Sequence, residues 1–268
     1  MEPLKAGLTM ELVNLEKRDL MSFFLIAFGW SWIFWLLEIL WDIHLFVAPF
    51  GPFVAAFLLT YLNEGKDGVI TLLKRGLDFN FKKIWLVPIF FLMPMIVGLS
   101  LLLAILTGEP APEITFLSQP WVIIPAFLYI LFLGGPVAEE FGWRGYALDR
   151  LQARYNALVS SVLLGIIWGL WHIPLFFMKN QEMYRNVPIL GFILGTVFLS
   201  IFFTWIYNNT NKSILAVLLF HTMGNLSHFI FPTVSTTWGG LYSLILNVVG
   251  VVFILIIWGP KRMVRGTD

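Results

Sequence analysis

Three short stretches place ionisable or polar side chains within apolar surroundings. Glu139 and Glu140 end a long apolar run, and His172 lies in a second one. His221 and Asn225 lie in a third. Such side chains are costly beside hydrocarbon and are usually functional there. A carboxylate and an imidazole can together take a proton from water, while a second imidazole and an amide can stabilise an oxyanion. The set predicts hydrolysis by an activated water molecule, without a Ser or Cys nucleophile.

The spacing of these residues along a helix determines which of their side chains point the same way. Neighbouring residues on a helix point about 100° apart, so Glu139 and Glu140 cannot share one role. Glu140 and Arg144 are four residues apart and can form an ion pair on one helix face. Glu139 is then left as the candidate base, with Glu140 and Arg144 in support. His221 and Asn225 are also four residues apart and therefore share a face.

The same residue types are also potential metal ligands. Two His and one Glu form a known catalytic zinc set, so Glu139, His172 and His221 are the predicted ligands if a metal is bound. Zinc would then acidify the attacking water. The sequence leaves a zinc mechanism and a metal-free mechanism open. It contains no His-Glu-x-x-His zinc helix, no Gly-x-Ser-x-Gly nucleophile motif and no phosphate-binding loop.

The composition is that of an integral membrane protein. Of the 268 residues, 59% are hydrophobic and 12% are charged, whereas soluble domains carry about 25% charged residues. The net charge of +1 gives no general attraction to nucleic acid. There is no Cys, which excludes disulfides and thiolate sites. We find no internal repeat, and we predict a single membrane domain over residues 1–268.

The apolar runs predict an all-α bundle of about eight transmembrane helices, since a span needs roughly 20 apolar residues. A Gly134-Gly135-Pro136 sequence should bend or loosen the fourth helix just before the Glu pair. The motif-bearing core covers about residues 120–231. The predicted spans are about 21–41, 45–62, 84–106, 120 to the Glu pair (with a continuation towards 155), 157–178, 188–207, 213–231 and 241–258.

The basic residues predict the orientation of this bundle. With eight spans and an inside N-terminus, only Lys179 and Arg185 of the 17 Lys and Arg fall outside. Cytoplasmic loops carry the excess of Lys and Arg in membrane proteins. Both termini are therefore predicted to be cytoplasmic, in a multi-pass protein of the cell membrane. The Glu pair then lies at the cytoplasmic end of the fourth helix.

Three motifs in order resemble those of the CPBP family, the CAAX-protease and bacteriocin-processing (Abi) intramembrane proteases, which include the type II CAAX prenyl endopeptidases. The family more often has Phe at the position of Trp168, and we interpret this residue as a packing or cavity-wall aromatic. The motifs are Glu139-Glu140-x-x-x-Arg144, Trp168-x-x-x-His172 and His221-x-x-x-Asn225.

The resemblance implies an intramembrane endopeptidase with eight helices. Glu139 and His172 would activate the water, and His221 and Asn225 would form the oxyanion site. The expected substrate is a prenylated CAAX-like protein or another membrane-associated peptide, with membrane lipids as the other partners. The family is widely described as metalloproteases, although a metal-free glutamate mechanism is also argued for it. Zn²⁺ is therefore a candidate cofactor and not an established one.

Two functions from other classes compete with the peptidase. One is a catalytically silent membrane scaffold or bacteriocin-immunity protein, which would keep its function in the variants Glu139→Ala and His172→Ala. The other is a proton-coupled transporter using Glu139 and Arg144. Transporters of this kind usually contain internal repeats.

Overall fold

The structure is a computed structural model that describes residues 2–43, 45–185 and 187–266. Within these ranges all regular secondary structure is helical, as the sequence predicts. The α-helices are α1 (Glu2–Trp41), α2 (Gly51–Arg75), α3 (Leu86–Leu106), α4 (Thr115–Ser118), α5 (Ile123–Leu133), α6 (Pro136–Gly142), α7 (Asp149–Gln152), α8 (Ala157–Trp171), α9 (Glu182–Arg185), α10 (Ile189–Asn209), α11 (Ile214–Ile230) and α12 (Gly239–Trp258).

Six segments of the described chain are long and apolar enough to cross a membrane, and a bent pair of helices makes a seventh candidate. The prediction of a polytopic helical bundle is confirmed. The count of eight spans and the cytoplasmic placement of both termini stay predictions. The six segments are Arg18–Trp41, Lys83–Leu106, Ala157–Phe177, Ile189–Asn209, Ile214–Ser235 and Gly239–Trp258.

The predicted second span does not have the predicted form. Residues 45–50 form a turn and a short 3₁₀ helix, and α2 begins only at Gly51. The apolar part of α2 ends near Leu62, and the helix continues through a backbone break at Gly65 to Arg75. That apolar part is much shorter than the roughly 20 residues of a span. Accordingly, α2 is absent from the candidate spans found in the described chain.

The fourth predicted helix is present and is bent before the Glu pair. Segments Pro120–Leu133 and Pro136–Gln152 meet at an angle of 41°. Gly135 has a φ of 114°, which favours glycine, and a Cβ there would fall 2.7 Å from Oε1 of Glu139. Pro136 suits the first turn of α6, where its missing N–H has no helical partner. The break therefore starts a new short helix that carries both glutamates.

The helix after the Glu pair widens into a π-helix over Trp143–Leu148, which the sequence analysis did not predict. All six of its residues are buried, and so are both glutamates of α6. In contrast, α5 has no buried residue. The chain therefore passes from an exposed apolar helix into the most buried part of the protein within a few residues.

Helices α8 and α10 pack closely and bring His172 into the core. A Cβ on Gly165 would lie 2.6 Å from the Cα of Val197, so this contact needs a glycine. The Thr196 hydroxyl also donates to the Gly165 carbonyl at 3.0 Å. Small residues commonly allow such close backbone approach in membrane bundles. The contact holds α8, whose C-terminal end carries His172, against α10.

Candidate active site

Glu140 and Arg144 form a buried ion pair. Nη1 of Arg144 lies 2.9 Å from Oε1 of Glu140, and both side chains are 0% exposed. The pair spans the junction between α6 and the π-helix, so the predicted four-residue contact survives the change in helix type. The Arg144 guanidinium also lies 3.9 Å from the ring centroid of Phe203 and 4.7 Å from that of Trp168. These aromatic faces further stabilise a cation that water cannot reach.

Glu140 also holds His221. Nδ1 of His221 lies 2.8 Å from Oε1 of Glu140, the oxygen that Arg144 contacts. With the carboxylate ionised against Arg144, it can only accept hydrogen bonds, so Nδ1 of His221 is the donor. Nε2 of His221 is left for another partner. The four-residue spacing predicts the contact of Glu140 with Arg144. Nothing in the sequence predicts the contact of Glu140 with His221, which joins α6 to α11.

Glu139 points away from Glu140, as the helical spacing predicts. Its Oε2 accepts a hydrogen bond from Nε1 of Trp168 at 2.6 Å. Its Oε1 lies beside Gly135 at the break before α6. Glu139 is buried, with 5% of its surface exposed. One oxygen is thus held by an indole of α8, and the other remains available at the start of α6.

His172 is oriented by the end of its own helix. Its backbone N–H bonds the Gly169 carbonyl as α8 gives way to a 3₁₀ turn that contains Pro174. The Trp168 carbonyl is therefore available to the side chain, and Nδ1 of His172 lies 2.7 Å from it. A carbonyl can only accept, so Nδ1 carries the proton. In the neutral imidazole, the lone pair is then on Nε2.

The structure brings the predicted residues together around one indole. The Trp168 ring lies 5.6 Å from the ring of His172 and 5.6 Å from that of His221. The same indole bonds Glu139. Three separate helices, α6, α8 and α11, therefore supply Glu139, His172 and His221 to one buried place.

Asn225 lies one turn beyond His221 on α11 and faces the break between α5 and α6. Its Nδ2 donates to the Gly134 carbonyl at 3.2 Å. It is half-buried. A primary amide has two N–H groups, so one hydrogen bond to the backbone leaves a second donor. Asn225 thus lies in the same region, and its hydrogen bond there is to the α5–α6 break and not to Glu139 or His172.

The site residues do not form a metal-ligand set in this arrangement. Among residues 2–43, 45–185 and 187–266, no three His, Cys, Asp or Glu side chains are placed to hold an ion. Oε2 of Glu139 is bonded to an indole, and Nδ1 of each histidine is bonded to a carbonyl or a carboxylate. These bonds leave Oε1 of Glu139 and Nε2 of each histidine without a hydrogen bond among the described residues, so they do not exclude metal binding, and the predicted zinc set of Glu139, His172 and His221 stays a prediction.

Tyr184 and Phe192 form an aromatic wall beside His172. The ring of Tyr184 stacks on the imidazole at 6.0 Å, and Phe192 contacts it edge-on at 5.3 Å. Burial raises the pKa of the Tyr184 phenol well above its usual range, with a smaller contribution from the negative charge of Glu139. The phenol is therefore neutral at physiological pH. Tyr184 lies in a connecting segment without a recognisable motif, so the sequence alone does not predict this wall.

A polar cluster, which we call the Asp149 brace, holds the π-helix at its other end. Asp149 pairs with Arg75 at 3.2 Å and with Lys212 at 3.0 Å, and the Tyr207 hydroxyl donates to it at 2.9 Å. Arg75 also bonds Tyr207 and donates to the Gly145 carbonyl at 3.0 Å. The brace connects α2, α10 and the α10–α11 turn to the segment that follows the Glu pair.

The fold and site together define a helical membrane protein with a buried carboxylate–imidazole centre, and comparison with known proteins identifies its family. Residues 120–227 match the family model described as type II CAAX prenyl endopeptidase Rce1-like. A protein of Methanococcus maripaludis named CAAX prenyl protease 2 is 34% identical over 185 residues, which cover 66% of this chain and 68% of the relative. The chain belongs to the Rce1-like CPBP family of multi-pass intramembrane proteases.

Proposed function

We propose that this protein hydrolyses a peptide bond of a prenylated CAAX-like protein or of another membrane-associated peptide. The observation that carries the proposal is that Glu139 and His172 are both hydrogen-bonded to the same residue, Trp168. Each is buried and held through one atom, which leaves Oε1 of Glu139 and Nε2 of His172 as free acceptors. The similarity to a protein named CAAX prenyl protease 2 supports the substrate class.

The proposed reaction begins with a water molecule bound by Glu139 and His172. As the water oxygen attacks the scissile carbonyl, one proton passes to Glu139 and the carbonyl oxygen becomes an oxyanion. The oxyanion collapses, the C–N bond breaks, and the proton on Glu139 passes to the leaving amine. The immediate products are a carboxylic acid and an amine, and Glu139 returns to its ionised form. The acid then gives its proton to the amine, so a carboxylate and an ammonium group result and atoms and charge balance. No step uses a metal.

The oxyanion would be stabilised from α11. Asn225 would donate its second side-chain N–H, the one that is not bonded to the Gly134 carbonyl. For His221 to donate through Nε2 as well, both ring nitrogens must carry a proton, because Nδ1 already donates to Glu140. Glu140 would then orient the His221 ring in addition to its support of Arg144.

The test uses purified protein in liposomes with a farnesylated CAAX peptide and the same peptide without the lipid. The wild type should release the C-terminal fragment, and Glu139→Gln should lower kcat by roughly 10²- to 10⁴-fold with the fold retained. The exposed Glu113 provides a matched control, and Glu113→Gln should behave as the wild type. Wild-type cleavage that Glu139→Gln does not reduce would contradict the proposed role. A wild type that cleaves neither peptide would contradict this substrate class.

A further inference from the structure

The indole of Trp168 does more than fill space. We propose that Trp168 is a positioning residue for hydrolysis: its ring N–H fixes the carboxylate of Glu139 while its backbone carbonyl fixes the imidazole of His172. The inference rests on the proposed function and assigns a role to a position that we interpreted from the sequence as packing or cavity wall. One residue would then set the relative orientation of the two groups that activate the water.

Trp168 holds the carboxylate of Glu139 through its indole N–H. The indole N–H can only donate. The Nε1–Oε2 distance of 2.6 Å is short for a hydrogen bond from an N–H to an oxygen. Trp168 is 4% exposed, so water does not compete for this donor. Holding Oε2 fixes the plane of the carboxylate. Oε1 is therefore the oxygen presented to the attacking water.

Trp168 also holds the imidazole of His172, through its backbone carbonyl. The Trp168 carbonyl would ordinarily accept the backbone N–H of residue 172, but that N–H bonds Gly169 instead. The carbonyl accepts Nδ1 of the imidazole, which fixes both the ring orientation and the tautomer. Both bonds originate from the same residue. A shift of Trp168 would therefore displace Glu139 and His172 together.

Trp168 differs from three other buried tryptophans in the hydrogen bonding of its indole. Within the part of the chain that the structure describes, the indole N–H groups of Trp143, Trp171 and Trp205 have no hydrogen-bond partner. These three rings therefore contribute apolar packing to the core and no side-chain hydrogen bond within the described chain. The N–H of Trp168 is bonded, and its partner is the candidate base. A Phe at this position would keep an aromatic ring but lose the donor.

The experiment removes the N–H and keeps the ring. Trp168→Phe is compared with a chain carrying 3-benzothienylalanine at position 168, which replaces the ring N–H by sulfur with little change in shape. Both should lower kcat by about ten- to a hundredfold, the usual effect of losing a hydrogen bond to a charged group. KM should stay within about twofold, because the lost bond does not involve the substrate.

The matched control is Trp205→Phe. Trp205 is also buried, packs against Trp85 and Trp258, and has no hydrogen bond from its indole within the described chain. This variant should keep the wild-type kcat even where it lowers thermal stability. A benzothienylalanine chain with wild-type kcat would overturn the inference, since the N–H would then be dispensable. Equal losses of kcat in Trp168→Phe and Trp205→Phe would also overturn the inference.

A second readout does not require activity. The indole N–H resonance of Trp168, assigned by its loss in Trp168→Phe, should move in the NMR spectrum of Glu139→Ala while that of Trp205 stays in place. A Trp168 resonance that does not move would overturn the inference. A wild type that cleaves no substrate would instead overturn the proposed function, and with it the role built upon it. The two failures are therefore distinguishable.

Discussion

Nδ1 of His221 donates a hydrogen bond to Glu140 at 2.8 Å, so the second glutamate of the pair and not the first holds the histidine of α11. The same carboxylate oxygen lies 2.9 Å from Arg144. Glu140 therefore connects the π-helix to α11, while Glu139 is connected to α8 through Trp168. The two adjacent carboxylates organise different parts of the site.

Glu140→Gln should destabilise the protein and also slow peptide cleavage. The change removes the negative partner of a fully buried guanidinium, and breaking one side of a buried pair costs about 3–5 kcal/mol. Thermal or SDS unfolding in detergent would measure the loss. Glu139→Gln should unfold close to the wild type, because the Gln side-chain oxygen can still accept from Trp168. Equal stability of the two variants would contradict the division of roles.

Asn225→Ala should lower kcat by roughly 10²- to 10³-fold with little change in KM, the usual effect of removing one oxyanion donor. The reason is that the second N–H of its amide would act only in the transition state. The matched control is Asn247→Ala on α12, where the amide bonds Ser243 within its own helix. Steady-state kinetics on the farnesylated peptide measures both variants. A rise in KM alone would instead indicate that Asn225 binds substrate.

Cleavage should persist after thorough metal removal. The reason is the arrangement of potential ligands, which in the described chain gathers no three His, Cys, Asp or Glu side chains around one point. Activity would be measured after dialysis against a chelator, with the metal content of the same sample determined by mass spectrometry. Loss of activity that added zinc restores would show that the site rearranges to bind a metal.

Asp149→Asn should weaken the Asp149 brace by about 1 kcal/mol, the upper range for an ion pair that solvent partly screens. Asp149 is 25% exposed, and so its pairs with Arg75 and Lys212 are far weaker than the buried pair of Glu140. Unfolding in detergent should detect the change, and the exposed Asp67 offers the control Asp67→Asn. A loss as large as that of Glu140→Gln would contradict this ranking.

The sequence by itself determined the relations that lie within one segment. Composition and apolar runs predict a helical membrane protein, and Gly134-Gly135-Pro136 predicts the bend before the Glu pair. Four-residue spacing predicts the contact of Glu140 with Arg144 and the shared face of His221 and Asn225. These succeed because the geometry of one helix follows from residue number alone.

Only the tertiary structure decided which helix faces which. The bond of Glu140 to His221, the bond of Trp168 to Glu139 and the position of Asn225 beside Gly134 depend on the rotation and depth of separate helices. Those are set by packing, such as the approach of α8 to α10 at Gly165. Spacing along the chain carries no information about that packing. The sequence therefore identified the candidate site residues, and the packing of the helices determined which of them are in contact.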